Sequence, residues 1–160
     1  MTIAIYPGTF DPITFGHTNI IARASVVFTK VIVAVFENKK KHPLLPFNTR
    51  IEVATAILSD IKNVEVMGFN CLLTDFVRAQ QSNVILRGLR AVSDFEYEFQ
   101  LARANRQLAH DIDTLFLTPD EKFSFISSSL VKEIASLGGD ISKFVDKRVI
   151  SLLHIYAGDD

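Results

Sequence analysis

Short runs of apolar residues, many of them β-branched, alternate along the chain with longer segments in which apolar positions recur every three or four residues. Short apolar runs are typical of strands buried on both faces, and the longer spacing is typical of amphipathic helices. The strands predicted in this way cover residues 3–6, 31–36, 64–69, 84–89 and 114–118.

The segments between these strands predict helices with one apolar face. The first such face contains Ile20, Ile21, Ala24, Val27 and Phe28, and the second contains Ile51, Ala54, Ile57, Leu58 and Ile61. A shorter helix is predicted over residues 72–81. The sequence "SDFE" at 93–96 is a capping box that opens a long helix ending at Leu108. Two further helices are predicted, from the serines at 127–129 to a glycine stop at 138–139, and over residues 146–156.

Strands that alternate with helices predict a parallel sheet covered on both faces by right-handed crossovers. We therefore predict a Rossmann-like α/β fold with five parallel strands, forming one domain over residues 1–160. In such folds ligands bind beyond the carboxyl ends of the strands, where the strand order reverses. Polar motifs that follow strands are thus the candidates for a functional site.

Composition narrows the class of protein. The chain has 160 residues, and 48% of them are hydrophobic, which excludes a disordered chain. Its net charge of -1 argues against a nucleic-acid partner. No apolar segment reaches the length of about 18 residues expected of a membrane helix, and no signal peptide is visible, so we expect no membrane partner and a cytoplasmic protein. The single Cys71 excludes an internal disulfide and is interpreted as a small buried residue.

The stretch "YPGTFDPITFGH" (6–17) follows the first predicted strand and leads into the first helix. Gly8 allows a bend and a close approach of the backbone to a ligand, and Thr14 is a suitable N-cap. Gly16 and His17 then fall in the first helical turn, where free amides and the helix dipole attract anions. The alternative is a capped helix with His17 directed into solvent. The convergence of Thr9, Thr14, Gly16 and His17 at one strand end favours an anion site.

Basic and hydroxyl side chains follow three further strands. In "ENKKKHP" (37–43), the three lysines are either a solvated loop or part of the site. In "RGLR" (87–90), the two arginines suit bidentate phosphate binding, with pairing to Asp94, Glu96 or Glu98 as the alternative. In "ISSS" (126–129), the serines suit a phosphate cradle at a helix N-terminus or simple capping, and the two roles are compatible.

Three segments together resemble the phosphopantetheine adenylyltransferase family of the nucleotidyltransferase superfamily. They are "YPGTFDPITFGH" (6–17), "RGLRAVSDFEYEFQLARANRQL" (87–108) and "FSFISSSLVKEIA" (123–135). Within the first, "TFGH" resembles the superfamily signature H-x-G-H, with Thr14 in place of the first histidine. The superfamily often has arginine where this chain has Lys132, whose role stays open between a charge in the site and a surface residue.

The resemblance implies a reaction and a set of site residues. The reaction is reversible transfer of an adenylyl group from ATP to 4'-phosphopantetheine, giving dephospho-CoA and pyrophosphate in coenzyme A biosynthesis. The catalytic residues implied are Thr9, His17 and Lys41; Lys39, Lys40 and His42 receive no role. The ATP-binding residues implied are Thr9, Phe10, His17, Gly88, Arg90, Asp94, Glu98, Ser127, Ser128 and Ser129. The phosphopantetheine-binding residues implied are Thr9, Lys41, Arg87 and Asn105, and the apolar Leu72 and Leu73 are placed beside the pantetheine arm.

The resemblance also implies a homohexamer and inhibition by coenzyme A. Mg²⁺ is expected to accompany ATP, held mostly by phosphates and water, because the motifs contain no carboxylate cluster suited to a protein cage. Two alternatives remain. One is another nucleotidyltransferase, acting on nicotinate mononucleotide or glycerol phosphate, and the other is a non-catalytic module that binds adenine nucleotides.

Overall fold

Five parallel strands form one sheet in the computed structural model, which describes residues 2–157 apart from the side chains of Val92 and Ser93. The strands are β1 (Ile3–Gly8), β2 (Lys30–Phe36), β3 (Val64–Phe69), β4 (Val84–Gly88) and β5 (Asp113–Leu117). Their order across the sheet is β3-β2-β1-β4-β5. The predicted α/β fold and its five strands are confirmed, with strand ends displaced by one or two residues.

Within residues 2–157, six α-helices connect and flank the strands. They are α1 (Phe15–Val27), α2 (Phe47–Leu58), α3 (Leu73–Ala79), α4 (Val92–Leu108), α5 (Ser128–Ser136) and α6 (Lys147–Ala157). The predicted glycine stop of α5 is confirmed, since Gly138 adopts a left-handed conformation (φ 79°) and its amide donates to Ala135 O. Among the described residues, no helix combines the length and apolar character needed to cross a membrane.

Alternate residues of each central strand pack on opposite faces of the sheet. Ala4 and Tyr6 of β1 face the cluster formed with α1, α2, α5 and α6, whereas Ile5 faces a smaller cluster that includes Phe76 and Val77 of α3. β2 and β4 alternate in the same way. Burial on both faces explains why these strands appear in the sequence as continuous apolar runs.

Three details differ from the sequence predictions. Helix α4 begins at Val92 with Ala91 in the N-cap position, so Ser93 lies inside the helix and is not its cap. The side chain of Ser93 lies outside the described residues. Val27, predicted on the apolar face of the first helix, is the last residue of α1 and is exposed. Cys71 is exposed too, in the turn between β3 and α3, so its interpretation as a buried residue was wrong.

Strands β1 and β4 separate toward their carboxyl ends. β1 pairs with β2 as far as Gly8, but its register with β4 contains only Ala4 with Val84 and Ile5 with Ile85. The strand order reverses at this pair, since β2 and β3 extend to one side of β1 and β4 and β5 to the other. A crevice therefore opens between two neighbouring strands at the place where open α/β sheets bind ligands.

Candidate active site

A cavity of about 440 Å³ occupies this crevice, a volume suited to small-molecule ligands. The predicted site residues on its wall are Thr9, Phe10, His17, Lys41, Arg87, Gly88, Arg90, Asp94, Glu98, Ser127, Ser128 and Ser129. The charged groups of the wall are four cations, Lys41, Arg87, Arg90 and Lys132, and three carboxylates, Asp11, Asp94 and Glu98. The fold thus gathers motifs from four separate parts of the chain into one site.

His17 lies in the first turn of α1 and is held by a reciprocal capping arrangement. The Thr14 amide donates to His17 Nδ1 (3.0 Å), and the His17 amide donates to Thr14 Oγ1 (3.4 Å). The predicted N-cap role of Thr14 is confirmed. Because Nδ1 accepts a hydrogen bond, the neutral ring holds its proton on Nε2. His17 is therefore a hydrogen-bond donor to the cavity through Nε2.

The His17 ring is neutral over the whole ordinary pH range. Burial of the imidazole lowers the pKa of His17 to about 3, and the positive charges of Arg90 and Arg87 contribute in the same direction. The positive end of the helix dipole also disfavours a charged imidazole at this position, but burial and the two arginines are the principal causes of its neutrality. The Phe10 ring packs edge-on against the imidazole, with ring centroids 4.9 Å apart.

This lowered pKa has a measurable consequence for folding. Between pH 6.5 and about 3 the unfolded chain binds a proton on His17 that the folded protein does not bind. His17 therefore makes its full contribution to the free energy of unfolding above pH 6.5. As the pH decreases this contribution falls, by about 1.4 kcal/mol per pH unit below pH 6. We expect the free energy of unfolding, measured with urea from pH 7 to 5, to fall more steeply for wild type than for His17→Gln. Parallel curves would contradict the assignment.

A buried arginine that the sequence analysis missed fixes the backbone around Thr9. Arg50 of α2 donates to the carbonyl oxygens of Thr9 (2.9 Å), Phe36 (2.7 Å), Glu37 (2.8 Å) and Leu45 (3.0 Å). It thereby joins the carboxyl ends of β1 and β2 to the loop that follows β2. Its position within an ordinary amphipathic helix contains no signal for this role, because its four acceptors are all main-chain atoms.

The lysine-rich loop after β2 brings one of its three lysines to the cavity. Lys39–Lys41 form a 3-10 turn, and only Lys41 of the three is on the cavity wall. Lys39 Nζ lies 3.9 Å from Glu37 Oε1 at the surface, and Lys40 and His42 are exposed. The family resemblance gave a role to Lys41 and none to Lys39, Lys40 or His42, and that role stays a prediction.

Arg87 makes a bidentate ion pair with Glu98 of α4. Its Nε and one terminal nitrogen each lie 2.7 Å from a Glu98 carboxylate oxygen, and its other terminal nitrogen donates to Pro7 O (2.7 Å). Although burial acts in the opposite direction, the hydrogen bonds and negative charge of Glu98 raise the pKa of Arg87. Three of its five N–H donors are occupied, so two remain for a ligand. The Pro7 contact links β4 to β1 beyond their last paired residues.

Arg90 and Gly88 occupy the other side of the same strand end. Arg90 Nε lies 3.3 Å from Asp94, and a terminal nitrogen donates to Ile126 O (3.3 Å). The carboxylate pairing considered as the alternative for "RGLR" is thus present for both arginines. At Gly88 a Cβ atom would overlap Ile20 Cδ1, so glycine lets the end of β4 approach α1 closely.

The serines and Lys132 of α5 complete the wall. Ser127 caps the helix by accepting from the Leu130 amide (3.0 Å), and Ser128 Oγ donates to Pro12 O (2.8 Å). Lys132 Nζ lies 3.0 Å from Asp11 Oδ2, so Lys132 belongs to the site and is not a solvent-exposed helix residue. Asp11 also accepts from the Leu44 and Leu45 amides, both at 2.8 Å. Asp11 lies within the motif at residues 6–17, but no role for it was predicted from the sequence.

Three predicted phosphopantetheine contacts are not on the described cavity wall. Leu72 is 51% exposed in the turn before α3, Leu73 packs against the smaller core cluster, and Asn105 is half-buried on α4. Among the described residues, no group of three or more His, Cys, Asp or Glu side chains could hold a metal ion. The carboxylates on the cavity wall are paired with Lys132, Arg87 and Arg90. These residues do not fit a metal cage.

The chain matches a known protein family and resembles solved structures. The family model described as cytidylyltransferase-like matches residues 5–134. A protein from Vibrio parahaemolyticus assigned as a nicotinate-nucleotide adenylyltransferase has a similar structure, with a TM-score of 0.70 and 20% identity over 96% of this chain and 92% of that one. The structure of Plasmodium falciparum nicotinic acid mononucleotide adenylyltransferase complexed with APC is also similar. Its TM-score is 0.67, with 18% identity over 97% of this chain and 95% of that one. At these identities the likeness shows a shared fold.

Proposed function

We propose that this chain, which belongs to the cytidylyltransferase-like family, transfers the adenylyl group of ATP to 4'-phosphopantetheine, giving dephospho-CoA and pyrophosphate. The observation that supports this proposal best is the cavity between β1 and β4, where a neutral imidazole donor faces the same space as Thr9, Lys41, Arg87 and Arg90. Such a wall suits two phosphorylated substrates that must meet. The choice of acceptor rests on the resemblance of residues 6–17, 87–108 and 123–135 to the phosphopantetheine adenylyltransferase family.

The reaction requires no activated side-chain nucleophile. An oxygen of the acceptor phosphate forms a bond to the α-phosphorus of ATP, while the bond from that phosphorus to the oxygen bridging to the β-phosphate breaks. The electron pair leaves with pyrophosphate. A phosphate monoester has a second pKa near ~6 and is largely dianionic at neutral pH, so no proton has to be removed from it. Catalysis then consists of positioning and of stabilising charge.

Each group on the wall has a role in this proposal. His17 donates through Nε2 to an oxygen of the α-phosphate, and Lys41 adds a positive charge there. Thr9 orients the acceptor phosphate, and Arg87 contributes its two remaining donors to it. The ATP phosphates lie by Arg90 and the first turn of α5, whose main-chain amides have no acceptor within the helix. Phe10, Gly88, Asp94 and Glu98 shape the nucleotide side of the cavity.

Mg²⁺ belongs to the proposal as an ion that arrives with ATP. Since the carboxylates on the wall already pair with cations, phosphate oxygens and water would supply its ligands. The ion would offset part of the charge of the triphosphate. None of the roles given to His17, Thr9, Lys41 or the arginines depends on a protein ligand to the metal.

Nicotinate mononucleotide is the second candidate acceptor, favoured by the names of the two similar structures. A pyrophosphate-release assay with ATP and Mg²⁺, run in parallel with 4'-phosphopantetheine and with nicotinate mononucleotide, separates the two. We expect turnover with 4'-phosphopantetheine and a kcat/KM at least about 10²-fold lower with the mononucleotide, because mispaired polar groups in a site cost this much or more. The reverse preference would refute the proposed acceptor. Addition of coenzyme A to the same assay tests the inhibition implied by the resemblance.

Assembly is a further part of the proposal. Helix α4 exposes Phe95, Phe99 and Leu108, and Leu115 of β5 is exposed as well. Exposed apolar side chains of this kind suit burial against another subunit, and the family resemblance implies a homohexamer. We expect sedimentation equilibrium at micromolar concentration to give six times the monomer mass of 17.9 kDa. A monomer as the single species would contradict this expectation.

A further inference from the structure

Asn38, immediately before the lysine turn, contacts two parts of the site at once. Its side-chain Nδ2 donates to Thr9 Oγ1 at 2.8 Å, across 29 residues of sequence. Its carbonyl oxygen accepts from the Lys41 amide at 3.1 Å, which closes the turn that places Lys41 on the cavity wall. Thr9 and Lys41 are therefore held relative to each other through a single residue.

The hydrogen bond from Asn38 decides what the Thr9 hydroxyl can do. A threonine hydroxyl has one proton to donate and two lone pairs that accept. With a lone pair engaged by the Asn38 amide, the proton stays available to a partner on the other side of the oxygen. Thr9 is on the cavity wall, so that proton can be given to an oxygen of a bound phosphate.

The backbone conformation of Asn38 also helps to form the turn that carries Lys41. Its φ of 56° and ψ of 48° lie in the left-handed region, which asparagine adopts more readily than most residues other than glycine. This conformation turns the chain from the end of β2 into the 3-10 turn. Arg50 holds the backbone on both sides of the contact, through the carbonyl oxygens of Thr9 and Glu37.

We propose that Asn38 is a positioning residue, which orients the Thr9 hydroxyl as a donor to the acceptor phosphate and fixes the turn that presents Lys41. The inference rests on the proposed function for the identity of the acceptor, but it applies to any acceptor that presents a phosphate to Thr9. Asn38 itself contacts no reacting atom in this proposal and acts through Thr9.

The test is a double-mutant cycle of wild type, Asn38→Gly, Thr9→Val and the double variant. Glycine keeps the left-handed backbone without strain and removes only the amide, and valine keeps the shape of threonine without the hydroxyl. For each protein, the Kd for the acceptor is measured by calorimetry without ATP, and kcat and KM are measured for both substrates. His42→Gly is the matched control, because His42 is also left-handed (φ 48°) in the same loop and is not on the cavity wall.

We expect Asn38→Gly and Thr9→Val each to lower kcat/KM for the acceptor by about 10- to 100-fold, the size of a lost hydrogen bond to a charged group. The double variant should be no worse than Thr9→Val within about twofold, since residues that act through one another are not additive. The KM for ATP should change less, and His42→Gly should resemble wild type.

The proposal fails if Asn38→Gly resembles wild type, if the two losses multiply in the double variant, or if His42→Gly causes the same loss. Failure of the proposed function is recognised separately, from wild type alone. If wild type uses nicotinate mononucleotide and not 4'-phosphopantetheine, the acceptor assignment is wrong. The double-mutant cycle is then measured with nicotinate mononucleotide as the acceptor. If wild type turns over neither compound, the calorimetric Kd of whichever acceptor binds decides the role of Asn38.

Discussion

Replacement of His17 by alanine is expected to lower kcat by about 10² to 10³, the usual effect of removing one donor that acts on charge developing in the transition state. The Nε2–H of a neutral imidazole is most useful when the α-phosphate becomes five-coordinate, so both KM values should change little. Steady-state kinetics with each substrate varied in turn measures the effect. A variant with nearly normal kcat would reduce His17 to a capping residue.

The structure adds a stability cost to this substitution. His17 Nδ1 accepts the Thr14 amide proton, and alanine would leave that amide without its acceptor. A lost hydrogen bond costs about 1 kcal/mol, which lowers the Tm by about 2–4 °C in a protein of this size. The melting temperature therefore has to be measured beside the kinetics. His17→Gln, which can place an amide nitrogen near the position of Nε2, should recover part of kcat, whereas a purely structural role would show recovery of Tm alone.

Removal of Arg87 is expected to raise the KM for 4'-phosphopantetheine by about 10² or more and to change the KM for ATP far less. Loss of one charged partner of a desolvated phosphate typically costs several kcal/mol. Arg90→Ala should show the opposite preference, because Arg90 is assigned to the ATP phosphates. Equal effects of both substitutions on both substrates would overturn the division of roles between the two arginines.

The ion pair with Glu98 determines how this experiment must be designed. Arg87→Ala alone would leave the Glu98 carboxylate buried without its partner, and such a loss is strongly destabilising. The informative variant is Arg87→Ala combined with Glu98→Gln, because glutamine has the same shape without the charge. Glu98→Gln alone is the matched control. It keeps the arginine available for phosphate, so its KM for the acceptor should stay close to that of wild type.

The choice among chemically similar groups depended on the tertiary structure. The sequence "KKK" offers three equivalent ammonium groups, and only the left-handed turns at Asn38 and His42 direct Lys41 to the cavity while Lys39 lies near Glu37. In the same way, Leu72 and Leu73 follow β3 in the sequence, but they lie away from the cavity at the crevice between β1 and β4. Local patterns show that a group follows a strand, but not which edge of the sheet that strand occupies.

The sequence by itself determined the order of the strands and helices along the chain, the parallel sheet, and the carboxyl ends of the strands as the place of the site. Those features follow from the local alternation of apolar and polar residues, which each segment contains independently of the others. The tertiary structure alone decided the pairing of Lys132 with Asp11, 121 residues apart, and of Arg87 with Pro7 O, 80 residues apart. It also decided the four carbonyl contacts of Arg50. The physical reason is that a buried polar group must find partners wherever packing brings them, and packing is a property of the whole assembled sheet and its helices.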